Sequence, residues 1–290
     1  MGQIDDLWRY DGRRAVVTGC ASGIGAAVAR QLTDLGAEVI GLDLRRPALQ
    51  LKEFHELDLS DSASIERAVA AIDGPVDSLF NVAGVSSGIG DPMRVVTINF
   101  LGTRQFTEAL IPSMPPGSAI ANVSSLAASA YRANATVTAG LLDTATMTEG
   151  IEWCQRNPGP VADGGGYRLS KEAIILYGMA NVGSLGAKGI RINCTAPGVT
   201  DTPILDQLRS AYGQQFLDSF QTPLGRAAEP DEQAGVLLFL NSGAASYITG
   251  QVIWVDGGSV AERVIGDVAD ERDRAREEHK DRKAEHGQPE

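Results

Sequence analysis

The chain has 290 residues, 43% hydrophobic and 21% charged, which is enough apolar side chain for one large domain or two small ones. A net charge of −12 argues against a broad nucleic-acid surface and against attraction to anionic lipid. Cys20, Cys154 and Cys194 have no paired spacing, and His55, His279 and His286 form no ligand set, so neither a disulfide framework nor a metal is expected.

The first residues, Met1 to Asp6, are acidic and carry no apolar stretch, unlike a signal peptide. No uninterrupted apolar run reaches the ~18 residues of a membrane helix. A cytoplasmic location and no membrane partner are the resulting expectations.

Residues 14–18 read as a short buried strand. Gly19-Cys20-Ala21-Ser22-Gly23-Ile24-Gly25 follows, and Ile24, Val28, Leu32 and Leu35 then recur at helical spacing until Gly36. Strand, glycine turn and helix together suit a phosphate, because helix-start N–H groups face an anion and missing side chains let it approach. Residues 38–43 predict a second strand ending in Asp43, about ~20 residues past the glycines. A carboxylate there accepts from ribose hydroxyls and repels a 2′-phosphate, which favours NAD over NADP; Arg45 and Arg46 soften that preference.

A third strand is expected at 53–57, leading to Asp58, which is placed to meet an adenine edge. A helix at 61–72 ends at Asp73-Gly74-Pro75, and Ser78-Leu79-Phe80-Asn81-Val82-Ala83-Gly84 reads as a fourth strand running into a glycine turn. Residues 95–111 read as helix around Asn99, a poor helix former that either caps a kink or holds a water. A fifth strand, 118–125, ends in the pair Ser124-Ser125.

Leu141, Leu142, Ala145, Ile151 and Trp153 predict one helix from Thr138 to Arg156. Asn157-Pro158-Gly159-Pro160 stops it, and Gly164-Gly165-Gly166 links it loosely to the next helix. That helix opens with Tyr167-Arg168-Leu169-Ser170-Lys171. Positions i and i+4 share a helix face, so phenol and ammonium project side by side. A free tyrosine titrates near ~10, and a cation within about 4–6 Å favours its phenolate, giving a proton carrier near neutrality. Strands at 190–195 and 251–255 complete seven. Alternating strands and helices imply a parallel sheet covered on both faces, with ligands at the strand ends.

Six motifs in this order resemble the short-chain dehydrogenase/reductase family over about residues 11–259. They are Thr18-Gly19-x-x-x-Gly23-Ile24-Gly25, Asn81-x-Ala83-Gly84, Asn99, Ser125, Tyr167-x-x-x-Lys171 and Pro197-Gly198-x-x-x-Thr202. Val82 departs from the family, which commonly has a second Asn there; that position supports the sheet rather than the chemistry. The resemblance implies a Rossmann-type doubly wound α/β fold with a seven-stranded parallel sheet, as a single domain over 1–260.

It further implies Tyr167 as general acid/base and Ser125, rather than Ser124, as hydrogen-bond donor to the substrate oxygen. Lys171 would hold the nicotinamide ribose and lower the Tyr167 pKa, and Asn99 would anchor a relay water. Gly19, Ser22, Gly23, Ile24, Asp43, Leu44, Asp58, Leu59, Asn81, Ala83, Gly84, Val199 and Thr202 would line an NAD site together with Tyr167 and Lys171. Tyr167 lies 42 positions after Ser125, much further than in most members. That gap, the turn Gly19–Ala27 and Arg226-Ala227-Ala228-Glu229-Pro230 look like bacterial 3α-hydroxysteroid dehydrogenase/carbonyl reductases and coniferyl alcohol dehydrogenases. A small apolar alcohol or ketone substrate and a homodimer or homotetramer are implied.

The helical insertion, 127–166, reads as one wall of an apolar pocket or as a surface piece that alters subunit packing. The stretch 203–222, with Ile204, Leu205, Leu208, Tyr212, Phe216, Leu217 and Phe220, reads as a substrate lid. The tail, 261–290, mixes both charges and is a solvated helix or disordered. Two other functions compete. Gly84-Val85-Ser86-Ser87-Gly88 matches a hydrolase nucleophile pattern, but no helix follows and only the tail offers a late His. A dinucleotide-sensing protein without turnover would not require the Ser–Tyr–Lys set.

Overall fold

The computed structural model describes residues 6–285 except 219 and 221. Seven strands form one parallel sheet in the order β3-β2-β1-β4-β5-β6-β7. They are β1 (Arg14–Thr18), β2 (Glu38–Asp43), β3 (Glu53–Glu56), β4 (Ser78–Asn81), β5 (Ala119–Val123), β6 (Arg191–Pro197) and β7 (Val252–Val255). The chain steps outward from β1 to β2 and β3, then returns to place β4 on the other side of β1. That reversal opens a crevice at the carboxyl ends of β1 and β4, where open α/β sheets bind ligands.

Strand side chains alternate between two cores. Ala15, Val17, Val39, Phe80 and Ala121 face the helices α1 (Gly23–Asp34) and α12 (Pro230–Asn241), packing with Val28, Leu32 and Leu237. Val16, Ile40, Leu79 and Ile120 face the opposite layer, with Phe100, Ala173 and Ile174. Both faces are dry, which is why the central strands read as continuous apolar runs rather than alternating ones.

The second layer carries the chemistry. It contains α2 (Ser62–Ala70), α3 (Pro92–Val96), a π-helical turn (Thr97–Gly102) and α4 (Thr103–Leu110). It continues with α5 (Ala135–Leu142), α6 (Met147–Arg156), the short α7 (Pro158–Ala162), α8 (Tyr167–Ala180) and α9 (Val182–Gly186). Beyond β6 come α10 (Pro203–Tyr212) and α11 (Gln214–Asp218), and the last described element is α13 (Ser259–Glu285). Among the described residues, no helix is long and apolar enough to cross a membrane.

Three local expectations are corrected. The insertion is two helices, not one: Thr146 caps α6 by accepting from Glu149 N at 3.2 Å, and the Glu149 carboxylate accepts from Ala145 N at 2.7 Å. Pro158 starts the turn α7 rather than only stopping a helix, as proline does at a first helical position. The three glycines are a packed turn, not a loose link: a Cβ at Gly166 would lie 2.2 Å from the Pro92 carbonyl oxygen.

The insertion lies along outer helices. A Cβ at Gly150 would meet Leu101 at 2.4 Å, and Asn134 donates to Glu172 on α8 at 2.6 Å. Met147 accepts from the Ser62 hydroxyl of α2. The tail takes its helical alternative, exposed from Ala261 to Arg272. His286 and the rest of 286–290, together with positions 219 and 221 of the expected lid, lie outside the described residues.

Candidate active site

Two turns at the sheet's switch point are knitted together by one hydroxyl. Thr18 Oγ1, buried at the end of β1, accepts from the N–H groups of both Val82 and Ala83 at 3.1 Å. The turns touch so closely that a Cβ at Gly19 would lie 2.8 Å from Ala83 Cα. Gly25 is equally constrained, since its Cβ would fall 2.0 Å from the Gly19 oxygen. Ser22 caps α1 without a side-chain hydrogen bond, so its hydroxyl leaves the first-turn N–H groups open to an anion.

Asp43 ends β2 beside this turn. One carboxylate oxygen accepts from Ala21 N at 3.0 Å and the other from Arg45 N at 3.1 Å. Each oxygen keeps a further lone pair for a ligand hydroxyl. Arg46 is stacked over the Phe54 ring at 4.7 Å, and Leu44 is exposed alongside. Asp58 accepts from the backbone and hydroxyl of Ser60, at 2.8 and 2.6 Å. Thr202, at the start of α10, rests on the glycine turn: a Cβ at Gly23 would meet Thr202 Cγ2 at 3.1 Å. Val199 is half-buried, and its carbonyl accepts from Ala228 N. A helix start without a side-chain cap, glycines whose Cβ positions are filled and a carboxylate at the next strand end fit a dinucleotide.

Two residues assigned to that site point their side chains elsewhere. The Asn81 amide donates to Thr107 and Asn122, both at 2.8 Å, and so bridges β4 and β5 within the sheet. Leu59 belongs to the core, with its carbonyl seated where Gly102 has no side chain.

The second cluster lies at the ends of β4 and β5. Ser125 follows β5; its hydroxyl oxygen accepts from Ala127 N at 3.2 Å and faces the phenol of Tyr167, the first residue of α8, near enough to lower its pKa. Ser124 turns the other way and donates to the Lys171 carbonyl at 2.7 Å. Lys171 Nζ donates to the Val123 carbonyl at 2.9 Å and stands 5.6 Å from the Tyr167 ring centroid. Burial decides the electrostatics of this cluster. It pushes the Tyr167 phenol above its ordinary value, against the Ser125 hydrogen bond, and pulls the Lys171 ammonium down to about 8. Where the lysine is expected to make the phenol more acidic, the largest influence on both groups in this structure is burial, and the net direction for Tyr167 is upward.

Asn99 sits inside the π turn, and its amide is fully engaged. Its oxygen accepts from Val85 N at 2.8 Å, and its nitrogen donates to Val85 O at 2.9 Å and to Ser170 Oγ at 3.3 Å. The misfit of Asn in a helix resolves as this π turn, a feature common at functional sites. Ser170, Val123 and Cys194, whose thiol lies near Lys171, belong to the cluster although sequence reasoning passed over them. Ser170 was within reach, inside the Tyr-x-x-Ser-Lys spacing; the other two are brought in only by strand pairing.

The hydrolase pattern has no nucleophile geometry. Ser86 is buried at the start of a 3-10 turn, bonded to Gly88 N and Gln207. Among the described residues, His55 pairs with Glu53 on β3 and His279 lies on α13. No group of three or more His, Cys, Asp and Glu gathers for a metal among the described residues.

Comparison with known proteins gives matches along most of the chain. The family described as short chain dehydrogenase matches residues 13–139, and that described as enoyl-(acyl carrier protein) reductase matches residues 159–260. The gap between the two matches falls in the insertion. A coniferyl-alcohol dehydrogenase of a Pseudomonas species (strain HR199) is 36% identical over 85% of this chain and 96% of its own. A 3-alpha-hydroxysteroid dehydrogenase/carbonyl reductase of Comamonas testosteroni is 30% identical over 84% and 95%. Among solved structures, the 3-alpha-hydroxysteroid dehydrogenase of Pseudomonas sp. B-0831 complexed with NADH superposes with a TM-score of 0.74 at 32% identity, covering 86% of this chain and 98% of that one.

Proposed function

The chain belongs to the short-chain dehydrogenase/reductase family, and from that premise we propose an NAD-dependent dehydrogenase that interconverts a secondary or aromatic alcohol with its carbonyl compound. The observation that carries this reading is the meeting of the Ser125 and Tyr167 hydroxyls at the strand ends, with Lys171 beside them. Two hydroxyls converging on one point can hold one substrate oxygen. Serine keeps its proton and donates, while tyrosine exchanges its own.

The Ser22–Gly25 helix start would hold the NAD pyrophosphate, Asp43 the adenosine ribose, and Lys171 and Thr202 the nicotinamide half. When bound, NAD supplies acceptance and return of hydride at the nicotinamide ring. The chain's own residues manage the proton. In oxidation, the Tyr167 phenolate takes the hydroxyl proton while Ser125 orients the oxygen. In reduction, the phenol returns the proton to the developing alkoxide. Asn99 holds Val85 through its side chain and is the residue that would anchor a relay water beside Lys171. The carboxylate of Asp43 and the stacking of Arg46 on Phe54 support NAD over NADP.

The substrate is an apolar hydroxysteroid or a cinnamyl-type alcohol, the classes named by the two relatives above. A homodimer or homotetramer is supported by the free outer edge of β7 and by exposed Val264, Ile265 and Val268. Following NADH absorbance with NAD and a panel of both alcohol classes tests the reading, with Tyr167→Phe as control. The expected result is turnover in the parent and NAD binding without turnover in the variant. NAD binding with no turnover on any alcohol would favour the sensing protein instead.

A further inference from the structure

The three glycines ahead of Tyr167 form a built turn. Gly164, Gly165 and Gly166 take φ of 65°, 62° and 76°, a region that residues with side chains avoid. The turn is backed by Pro92 at Gly166 and by Ser87 at Gly165, where an added Cβ would lie 2.8 Å from Ser87 Cβ but 3.9 Å from its Oγ. The backbone leading into Tyr167 therefore leans on the Ser87 methylene, not on its hydroxyl.

Ser87 opens the 3-10 turn Ser87–Ile89, which is held from two further directions. Upstream, Asn99 clamps both backbone groups of Val85. On the outer side, the Ser86 hydroxyl, 1% exposed as a residue, donates to Gln207 Oε1 of α10 at 3.2 Å. Gly88 has no side chain, and the Gln207 carbonyl oxygen comes within 3.0 Å of the point its Cβ would take. A continuous chain of contacts thus runs from α10 through this turn to Gly165 and into Tyr167. Packed elements move between discrete arrangements rather than deform.

We infer that Ser87 is a positioning residue for Tyr167, a wedge through which the placement of α10 sets the placement of the phenol. The inference rests on the dehydrogenase reading of that phenol. The groups that face the phenol among the described residues are Ser125 and Lys171, and the wedge sets its distance from both.

The test separates the methylene from the hydroxyl. Ser87→Ala keeps the Cβ and is expected to retain kcat within about twofold, whereas Ser87→Gly lowers kcat about tenfold, the scale of a small misplacement. The same Ser87→Gly change should shift the pH profile of kcat while leaving the Kd for NAD within about twofold. Gln207→Leu breaks the same chain one step earlier. Its loss and that of Ser87→Gly should therefore not multiply in the double variant. The wedge is refuted if Ser87→Gly and Ser87→Ala behave alike, or if the Gln207→Leu and Ser87→Gly losses multiply. Should Tyr167→Phe keep parental turnover, the dehydrogenase reading falls instead. Ultraviolet titration of tyrosine ionisation, referenced to Tyr167→Phe, then decides the wedge: Ser87→Gly must shift the Tyr167 transition and Ser87→Ala must not.

Discussion

Lys171 Nζ lies 2.9 Å from the main-chain oxygen of Val123, in a place where the lysine is only 5% exposed. One neutral acceptor replaces hydration poorly, and burial pulls the ammonium from its ordinary 10.5 down to about 8. Between those values the unfolded chain binds more protons than the folded one, so this group makes stability rise with pH over that window. Below about 8 its full penalty is present. Lys171→Met should therefore be more stable than the parent at pH 7, by on the order of 1–2 kcal/mol after the lost hydrogen bond is deducted, and the advantage should shrink toward pH 10. Urea midpoints at the two pH values, without cofactor, measure this. A variant less stable than the parent at both would contradict it.

Ser125 acts on the same cleft with the opposite sign. Burial raises the Tyr167 pKa, and the Ser125 hydrogen bond lowers it. Removing the hydroxyl in Ser125→Ala leaves burial unopposed, so less phenolate exists at a given pH. The rising limb of kcat/KM for alcohol oxidation should move to more alkaline pH, and kcat should fall about 100-fold or more. Ser125→Thr keeps a hydroxyl and should restore the position of the limb. An unmoved limb in Ser125→Ala would show that the two hydroxyls do not share a proton-transfer site.

Arg104 holds the joint of the insertion. It is 4% exposed on α4, and its guanidinium donates to Thr144 O at 2.6 Å and to Thr144 Oγ1 and Thr146 O at 3.2 Å. Burial lowers its pKa, but it keeps its charge at neutral pH. Arg104→Met would leave the Thr144 acceptors without a donor, Thr146 O keeping its bond from Gly150 N, and should cost roughly 2–4 kcal/mol. Arg104→Lys should recover little, since one ammonium cannot span the fork. Denaturant midpoints check both, and limited proteolysis should locate new cleavage at 143–146.

The same joint shows where sequence reasoning stops. Leu141, Leu142, Ile151 and Trp153 keep helical spacing across a break that carries no glycine or proline, so 138–156 reads as one helix. The break is made by the Thr146–Glu149 cap, a local signal the helical spacing hides, and is held by Arg104, about 40 residues away in sequence, which only the folded chain supplies. The sheet was legible because each strand is a short apolar run bounded by turn residues, and both faces are covered. Tyr167 and Lys171 were legible because helix geometry alone joins positions four apart. The direction of the tyrosine shift was not, since burial is set by strands and helices distant in sequence. The glycines before Tyr167 looked flexible for the same reason: Pro92 and Ser87, which confine them, lie on another element.

Asp43 offers the sharpest separation of cofactor choice from folding. Its carboxylate already accepts from Ala21 N and Arg45 N, so it does two jobs: it ties the glycine turn to β2 and presents remaining lone pairs at the crevice. Asp43→Asn keeps one acceptor oxygen and removes the charge. It should fold normally, bind NAD about 10- to 100-fold more weakly, the scale of one or two charge-assisted hydrogen bonds, and lose much of its discrimination against NADP. Arg45 has only its backbone committed to Asp43, so Asp43→Ser in place of Asp43→Asn should let its side chain meet a 2′-phosphate, while Arg46 stays stacked on Phe54. Fluorescence titrations with NADH and NADPH give the two affinities, and a melting curve reports the fold. If Asp43→Asn binds NADH as tightly as the parent, Asp43 is a tether of the glycine turn alone and the source of NAD preference must be sought elsewhere in the crevice.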